Sequence, residues 1–276
     1  MIFILQKEKE FDLDILIIKK LIEDNKYIHS YIEMKLDDFY EIKENKKQLK
    51  SANDFSKDFF NYIPMGTIDF VNSYFKIFHN TQMNALEIPN ILKTDEFLKR
   101  KYSIVKAYNI PKKGEYFIKD ATQLKSFSYT GELSYLLYDG IFEESKKRFD
   151  TSLHLNPNHL YQVSEIVNVL SEYRIFIVDE QIYSITHYNG DPTIFPDINL
   201  IKKANSLYMT QKDYPKSYDM DVMITPKGTA IIEIHPVLFS TGLYHNLHGS
   251  KFLYAFQDGK NYILNHNTKS SEFSNF

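Results

Sequence analysis

The feature that most constrains this chain is a pair of carboxylates set inside apolar strand sequence. Asp221 stands in Met220-Asp221-Val222-Met223-Ile224 and Glu233 in Ile231-Ile232-Glu233-Ile234, with Pro226-Lys227-Gly228 between the runs. Such runs around a Pro/Gly turn predict an antiparallel hairpin over 219–234. Folding about the turn brings the carboxylates nearly opposite each other, where like-charge repulsion destabilises a bare sheet. Two readings follow. Either a bound divalent cation reverses the sign, Mg2+ being suited to one or two carboxylates plus phosphate oxygens, or the register is off by one residue and one carboxylate faces water.

Strand-like runs dominate from residue 114 to 235. They are Glu115 to Lys119, Tyr161 to Val167, and a second hairpin of Glu172 to Val178 with Gln181 to His187, joined at Asp179-Glu180. Upstream, Ile2 to Leu5 reads as a short buried strand and Phe11 to Ile22 as an amphipathic helix. The Lys/Glu/Asn-rich stretch Asp37 to Lys57 reads as solvated. Pro64 to Thr67 reads as a turn before a helix, Ile68 to Phe78, and Asn90 to Tyr108 as a further helix and connection. Phe252 to Gln257, ending in Asp258-Gly259, is either a helix with a glycine stop or another hairpin. At 276 residues the chain lies near the size at which single cores split. The expected division is an N-terminal α/β domain at 1–90, a small lobe at 91–160, a large lobe at 161–264 and a flexible tail at 265–276.

Several chemistries are excluded. The chain has no Cys, so there is no disulfide framework, thiolate nucleophile or Cys-ligated zinc. Any metal site must use carboxylate, imidazole or carbonyl oxygen. A formal charge of -3 lacks the basic footprint of a nucleic-acid binder. The opening apolar run is cut off by Lys7 to Glu10, too short for a signal-peptide core or a membrane span. The lack of cysteine permits a cytoplasmic compartment, and a cytoplasmic protein that does not enter a membrane is the expectation. Walker, GxGxxG, HExxH and GxSxG signatures are absent. His235, His245 and His248 are a conceivable zinc set, but no spacing fixes their geometry.

Two further features carry charge into strands. Glu172 and Arg174 share one strand face by the two-residue period. The arginine can bind a phosphate or acyl phosphate bidentately, or the two can be a solvated edge pair. Lys119 closes the run Glu115 to Lys119 and Lys125 follows six residues later. Together they can neutralise a polyphosphate or simply decorate the surface.

Taken in order, FIKD, VSEIV, EYRIFIV, the Asp-Val strand and EIHP resemble the ATP-grasp superfamily over residues 64 to 248. PMGTIDFV, the lysines of FIKDATQLKSF, SEYRIFIVDEQIYSITHYNGD and FSTGLYH resemble more narrowly the clade named for a characteristic arginine and two lysines. The resemblance implies an α+β ATP-grasp fold, two lobes clamping ATP, with a small N-terminal α/β domain. Lys119 would contact the nucleotide phosphates, with Lys125 as the second lysine. Glu165, Ile166 and Val167 would form the hinge that reads adenine, and Arg174 would hold the γ-phosphate or acyl phosphate with Glu172 beside it as an orienting partner or polar contact. Asp221 and Glu233 would ligate Mg2+. His235 stands where the superfamily usually has asparagine, and imidazole is a poorer partner for hard Mg2+ than an amide oxygen. That departure tilts the site toward Mn2+, weakens a second metal or marks lost catalysis.

The function so implied is an ATP- and Mg2+-dependent carboxylate–amine ligase working through an acyl phosphate. Its partners would be ATP, a carboxylate and an amine acceptor, either of which can belong to a peptide or protein. The alternative is a catalytically degenerate nucleotide-binding or protein-interaction module on the same fold.

Overall fold

The computed structural model describes residues 1–10, 12–48, 60–81, 83–84, 87–111, 113–122, 127–132, 155–156, 158–239 and 242–267. Three sheets organise them. In the first, β1 (Ile2–Gln6) lies between β2 (Ser30–Met34) and β3 (Ile63–Met65), all parallel. Helix α1 (Leu13–Asp24) crosses from β1 to β2, capped by the Asp12 carboxylate on the Asp14 amide. Helix α2 (Leu36–Gln48) follows β2, and α3 (Ile68–Tyr74), capped by Thr67, runs into a π-turn at Phe75–His79.

The second sheet has strand order β4-β7-β5-β6, from β4 (Tyr102–Lys106), β5 (Glu115–Asp120), β6 (Ser128–Glu132) and β7 (Leu160–Glu165), antiparallel throughout. The third has order β11-β10-β8-β9, also antiparallel, from β8 (Ser171–Val178), β9 (Gln181–Gly190), β10 (Tyr218–Thr225) and β11 (Gly228–Pro236). Both predicted hairpins are present. At the β8–β9 turn Asp179 and Glu180 both have positive φ (50° and 69°), a conformation that costs non-glycine residues about 1 kcal/mol each. The Glu180 backbone offsets this by donating its N–H to Lys216 O and accepting from Asn205 Nδ2.

The two faces of the third sheet have different jobs. Tyr173, Ile175 and Ile177 of β8 and Tyr218, Met220 and Val222 of β10 pack with Ile201, Ala204 and Tyr208 of helix α5 (Ile198–Tyr208). On the opposite face Phe176 and Val178 join the core that holds β1, α1, α3 and the C-terminal helix α6 (Lys251–Asn267). The remainder of that face, from Glu172 to Arg174, lies outside both apolar cores.

Several expectations needed correction. Residues 90–108 hold only a 3-10 turn at Asn90–Leu92 and the short helix α4 (Asp95–Leu98) before β4 begins, not one long helix. Within the stretch read as strands, α5 is a full helix, and Asp197 caps it by accepting from the Asn199 and Leu200 amides. Strands β2, β3 and β6 were not foreseen, Pro64 and Met65 pairing with β1 rather than forming a turn, and 36–48 is a helix that buries Phe39. Gly259 does not stop α6. It lies mid-helix against the 3-10 turn after β11, where a Cβ would meet Leu238 N at 3.0 Å. Residues 265–267 belong to that helix, while 49–57 and 268–276 lie outside the described residues.

A buried lysine ties α6 to the first sheet. Lys260, 5% exposed, donates to Phe60 O (2.5 Å), Tyr62 O (2.8 Å) and Tyr74 Oη (3.1 Å). Burial pushes its ammonium down to about 8. Because the unfolded chain then binds the extra proton between about pH 8 and 10.5, the Lys260 contribution favours the native state increasingly as pH rises through that window. Lys260→Met is expected to cost about 1–3 kcal/mol in urea unfolding, since two carbonyls lose their donor. The gap between wild type and variant should widen from pH 8 to 10.

Candidate functional site

The register of β10 and β11 decides what the cleft contains. Counting from Thr225 opposite Gly228, an unbroken ladder would set Asp221 opposite Ile232. A bulge between Asp221 and Val222 inserts one residue, so Asp221 pairs with Glu233 while Val222 pairs with Ile231. Ile232 and Glu233 therefore both turn to the cleft, and Ile231 and Ile234 stay in the core. Asp219 pairs with His235 one step along, on the same strand face as Asp221.

Three carboxylates on one sheet face require cations, and two arrive from neighbouring strands. Arg174 of β8, opposite Asp221, holds it through Nε and Nη2, both at 2.8 Å. The same Nε lies 3.4 Å from Asp219. Although burial opposes it, the Asp221 and Asp219 charges keep the guanidinium ionised and raise its pKa. Lys119 reaches across from β5 to hydrogen-bond Glu233, whose Oε2 also lies 3.3 Å from His235 Nε2. Against the opposing effect of burial, His235 and Lys119 hold the Glu233 carboxyl well below the usual carboxylate range.

Asp219 is the residue that sequence reading missed. It is 1% exposed, and among the described residues neither carboxylate oxygen has a hydrogen-bond partner. Burial pushes it up to about 7, with Arg174 pulling down and Asp221 pushing up. Its signal was available: it stands two residues before Asp221 in Asp219-Met220-Asp221, on the same face by strand period. Burial, with the charges of Asp221 and Glu172 adding to it, raises the Tyr188 hydroxyl pKa.

Beside the charges lies an apolar cavity of about 220 Å³, walled by Phe117, Ile166, Val167, Val169, Met223 and Ile232. Arg100, Glu165 and Glu172 also line it. Glu165 is pinned to the start of β4, its N–H donating to Lys101 O (3.0 Å) and its Oε2 accepting from Lys101 N (3.3 Å). Gln162 and Ile232 border both this cavity and the Lys119–Glu233 pair, so an apolar compartment and a charged one are contiguous. Of the two roles implied for Glu172, partner of Arg174 or polar contact, the geometry lacks the pairing. Glu172 accepts from Asn189 Nδ2 at 2.9 Å, because Arg174 is already committed to Asp221. Lys125 lies outside the described residues. The histidine triplet does not converge, and among the described residues no three His, Asp or Glu side chains form a ready metal shell.

An antiparallel small lobe and an antiparallel large lobe, hinged beside an apolar cavity and facing each other across lysine, arginine and paired carboxylates, define the ATP-grasp class. The chain belongs to an ATP-grasp domain family, the second family of the clade named for its arginine and two lysines, whose model matches residues 97–253, more than half of its length. Membership makes it an ATP-dependent ligase in class. Among solved structures it is similar to D-cycloserine synthetase DcsG, with a TM-score of 0.53 and 8% identity over 95% of this chain and 100% of that one. It is also similar to D-alanine–D-alanine ligase from Bacillus anthracis, with a TM-score of 0.49 and 11% identity over 96% and 99% of the two chains. No curated protein matches the sequence significantly. Among the described residues no helix is long and apolar enough to cross a membrane.

The charge arrangement has a pH signature. Raising the folded pKa of Asp219 above its unfolded value makes its contribution to stability fully present below about pH 4, and lost as pH rises through about 7. Asp219→Asn should therefore gain stability relative to wild type from pH 4 to pH 8, read as the difference in thermal midpoints. A constant difference would show that Asp219 is not held against its ionisation.

Proposed function

We propose that the protein joins a carboxylate to an amine with ATP and Mg2+, through an acyl phosphate. The observation that carries this reading is the exchangeable pairing in the cleft: each carboxylate suited to a metal is held by a cation suited to phosphate. Lys119 is on Glu233 and Arg174 is on Asp221. When a nucleotide enters, both cations can pass to phosphate oxygens, which frees the two carboxylates.

The donor set fits a hard divalent cation. Asp221 and Glu233 are direct cross-strand partners on one face, and the unpartnered oxygens of buried Asp219 lie beside them. Mg2+ commonly takes only one or two carboxylates and completes its shell with phosphate and water, in keeping with the absence of a three-residue shell among the described residues. Asp221 and Glu233 would hold it, with His235 on the metal side, and there it would offset charge on the transferred phosphoryl group. Imidazole at that position favours Mn2+ as a substitute.

In this reading the hinge at Glu165, Ile166 and Val167 takes the adenine in the apolar cavity. Lys119 and the clade's second lysine, Lys125, hold the phosphates, and Arg174 stabilises the γ-phosphoryl group as it moves. Glu172, on the cavity wall, is a polar contact rather than a partner of Arg174. The substrate carboxylate oxygen attacks the γ-phosphorus and ADP leaves. The amine nitrogen then attacks the acyl carbon, phosphate leaves, and the nitrogen loses a proton to give the amide. The work is positioning and charge stabilisation, about 2.7–4 kcal/mol of barrier for each such group by analogy with other preorganised donors.

A second cavity, of about 120 Å³, suits the substrate side. Lys9, Asp14, Thr67, Gly242 and Tyr244 line it, and Asp14 accepts from the Leu243 and Tyr244 amides at 3.2 and 2.8 Å. It lies between the first sheet's helices and the loop after β11. One observation favours the alternative of a nucleotide-binding module without turnover: His235, where asparagine is usual, already leans on Glu233.

Thermal unfolding with ATP or ADP and either Mg2+ or Mn2+ tests the reading. Nucleotide at about 100 times its dissociation constant should stabilise the native state by roughly 2.7 kcal/mol. Glu233→Gln should keep the fold, lose the metal-dependent part of that shift and abolish ADP release. Wild-type turnover in that variant would remove Glu233 from the metal site. ADP formation that appears only in His235→Asn would favour the binding module.

A further inference from the structure

Asp219 is a buried carboxyl that the chemistry proposed above leaves without a task. Among the described residues neither of its oxygens accepts a hydrogen bond. In the β8–β10 ladder it faces Phe176, two positions along from the Arg174–Asp221 pair and on the same face. Phe176 belongs to the apolar core, its ring centroid 6.0 Å from that of Tyr244 and 5.5 Å from that of Phe252. The carboxyl therefore stands where the charged cluster ends and the aromatic core begins. A buried acid in such a place is costly unless a cation answers it.

His235, its cross-strand neighbour on β11, is placed against Glu233 at 3.3 Å. The ion pair of Asp219 is with Arg174, whose Nε lies 3.4 Å from Oδ2. That separation is too long for a good hydrogen bond, because Nε and Nη2 are both held by Asp221 at 2.8 Å. The imbalance reverses once Asp221 turns to a metal ion. Arg174 then loses two hydrogen bonds, and a guanidinium on a flexible stem needs another acceptor to keep its direction. Asp219 is already beside it, and closing the gap to about 2.8 Å makes a charge-assisted bond.

We propose that Asp219 is a positioning residue that takes over Arg174 Nε when Asp221 turns to the metal ion, and so aims the remaining guanidinium donors at the γ-phosphoryl group. The inference rests on the nucleotide and metal site proposed above. It gives the two aspartates of Asp219-Met220-Asp221 different tasks, one to the cation and one to the arginine.

The test is calorimetric binding of ADP and of the β,γ-imido analogue of ATP, each with Mg2+, since only the analogue offers Arg174 a γ-phosphoryl group. Asp219→Leu keeps the branched shape and removes both acceptors. It should lower the ratio of analogue affinity to ADP affinity about tenfold, the loss expected for one hydrogen bond to a charged group. Asp219→Asn, which keeps one acceptor oxygen, should lower it less. Both variants remove a buried acid short of hydrogen bonds, so both should fold. In an Arg174→Met background the effect of Asp219→Leu should vanish. A wild-type ratio in both Asp219 variants overturns the proposal, and needs no double variant. A full loss that persists without Arg174 also overturns it. Equal weakening of both nucleotides, absent when EDTA replaces Mg2+, overturns it by making Asp219 a metal ligand. If wild type binds neither nucleotide, the nucleotide site itself fails, and with it this inference.

Discussion

Acidic side chains crowded on one sheet face are the constraint around which the rest of this structure is arranged. Asp219, Asp221 and Glu233 stand on adjacent positions of β10 and β11. Left alone they would repel, and each buried ion costs several kcal/mol in lost hydration. The sheet tolerates them because Arg174 is delivered by the next strand and Lys119 by the facing lobe. The Lys119–Glu233 pair is also a contact between the second and third sheets. Electrostatics at the site and the closure of the cleft are thus one interaction viewed from two sides.

The hydrophobic cores are placed so as to leave that face available. One side of the third sheet is sealed by α5, and half of the other by α6 and the N-terminal helices. The part of the sheet outside those apolar cores runs from Glu172 to Asp219, charged at one end and apolar at the other. A compartment with that polarity suits a nucleotide, whose base and phosphates differ in the same way. Polar groups cross between the lobes there: Lys119 on Glu233, Arg100 on Ile231 O, and Lys227 4.0 Å from Glu165. Such contacts can be exchanged for ligand contacts more readily than a packed core can be opened.

Much of the third sheet was legible because its signals are local. The turns at Asp179-Glu180 and Pro226-Lys227, and the β-branched runs beside them, state the hairpins without reference to anything distant. Strand period alone put Glu172 with Arg174. It would also have put Asp219 with Asp221, had that residue been weighed. Strands β2 and β6 were harder, since their sequences SYIEM and SYTGE carry little apolar pattern and owe their state to the neighbours they pair with. Gly259 misled for a related reason: it serves a close approach of α6 to Leu238, which only packing reveals.

By itself the sequence determined which residue types meet in this protein: carboxylates inside strands, a lysine closing one strand, an arginine within another, and a turn between them. Those follow from local periodicity and turn chemistry. Tertiary structure decided how they are paired. The turn at Pro226-Lys227 would have set Asp221 against Ile232, and only the bulge restores Glu233 opposite Asp221. The choice of Asp221 rather than Glu172 as the partner of Arg174, and the place of Arg100 on the wall of the apolar cavity, likewise depend on strands far apart in sequence. A bulge is paid for by packing on both faces of a sheet, and burial sets the strength of every charge beside it, so neither can be read from neighbours along the chain.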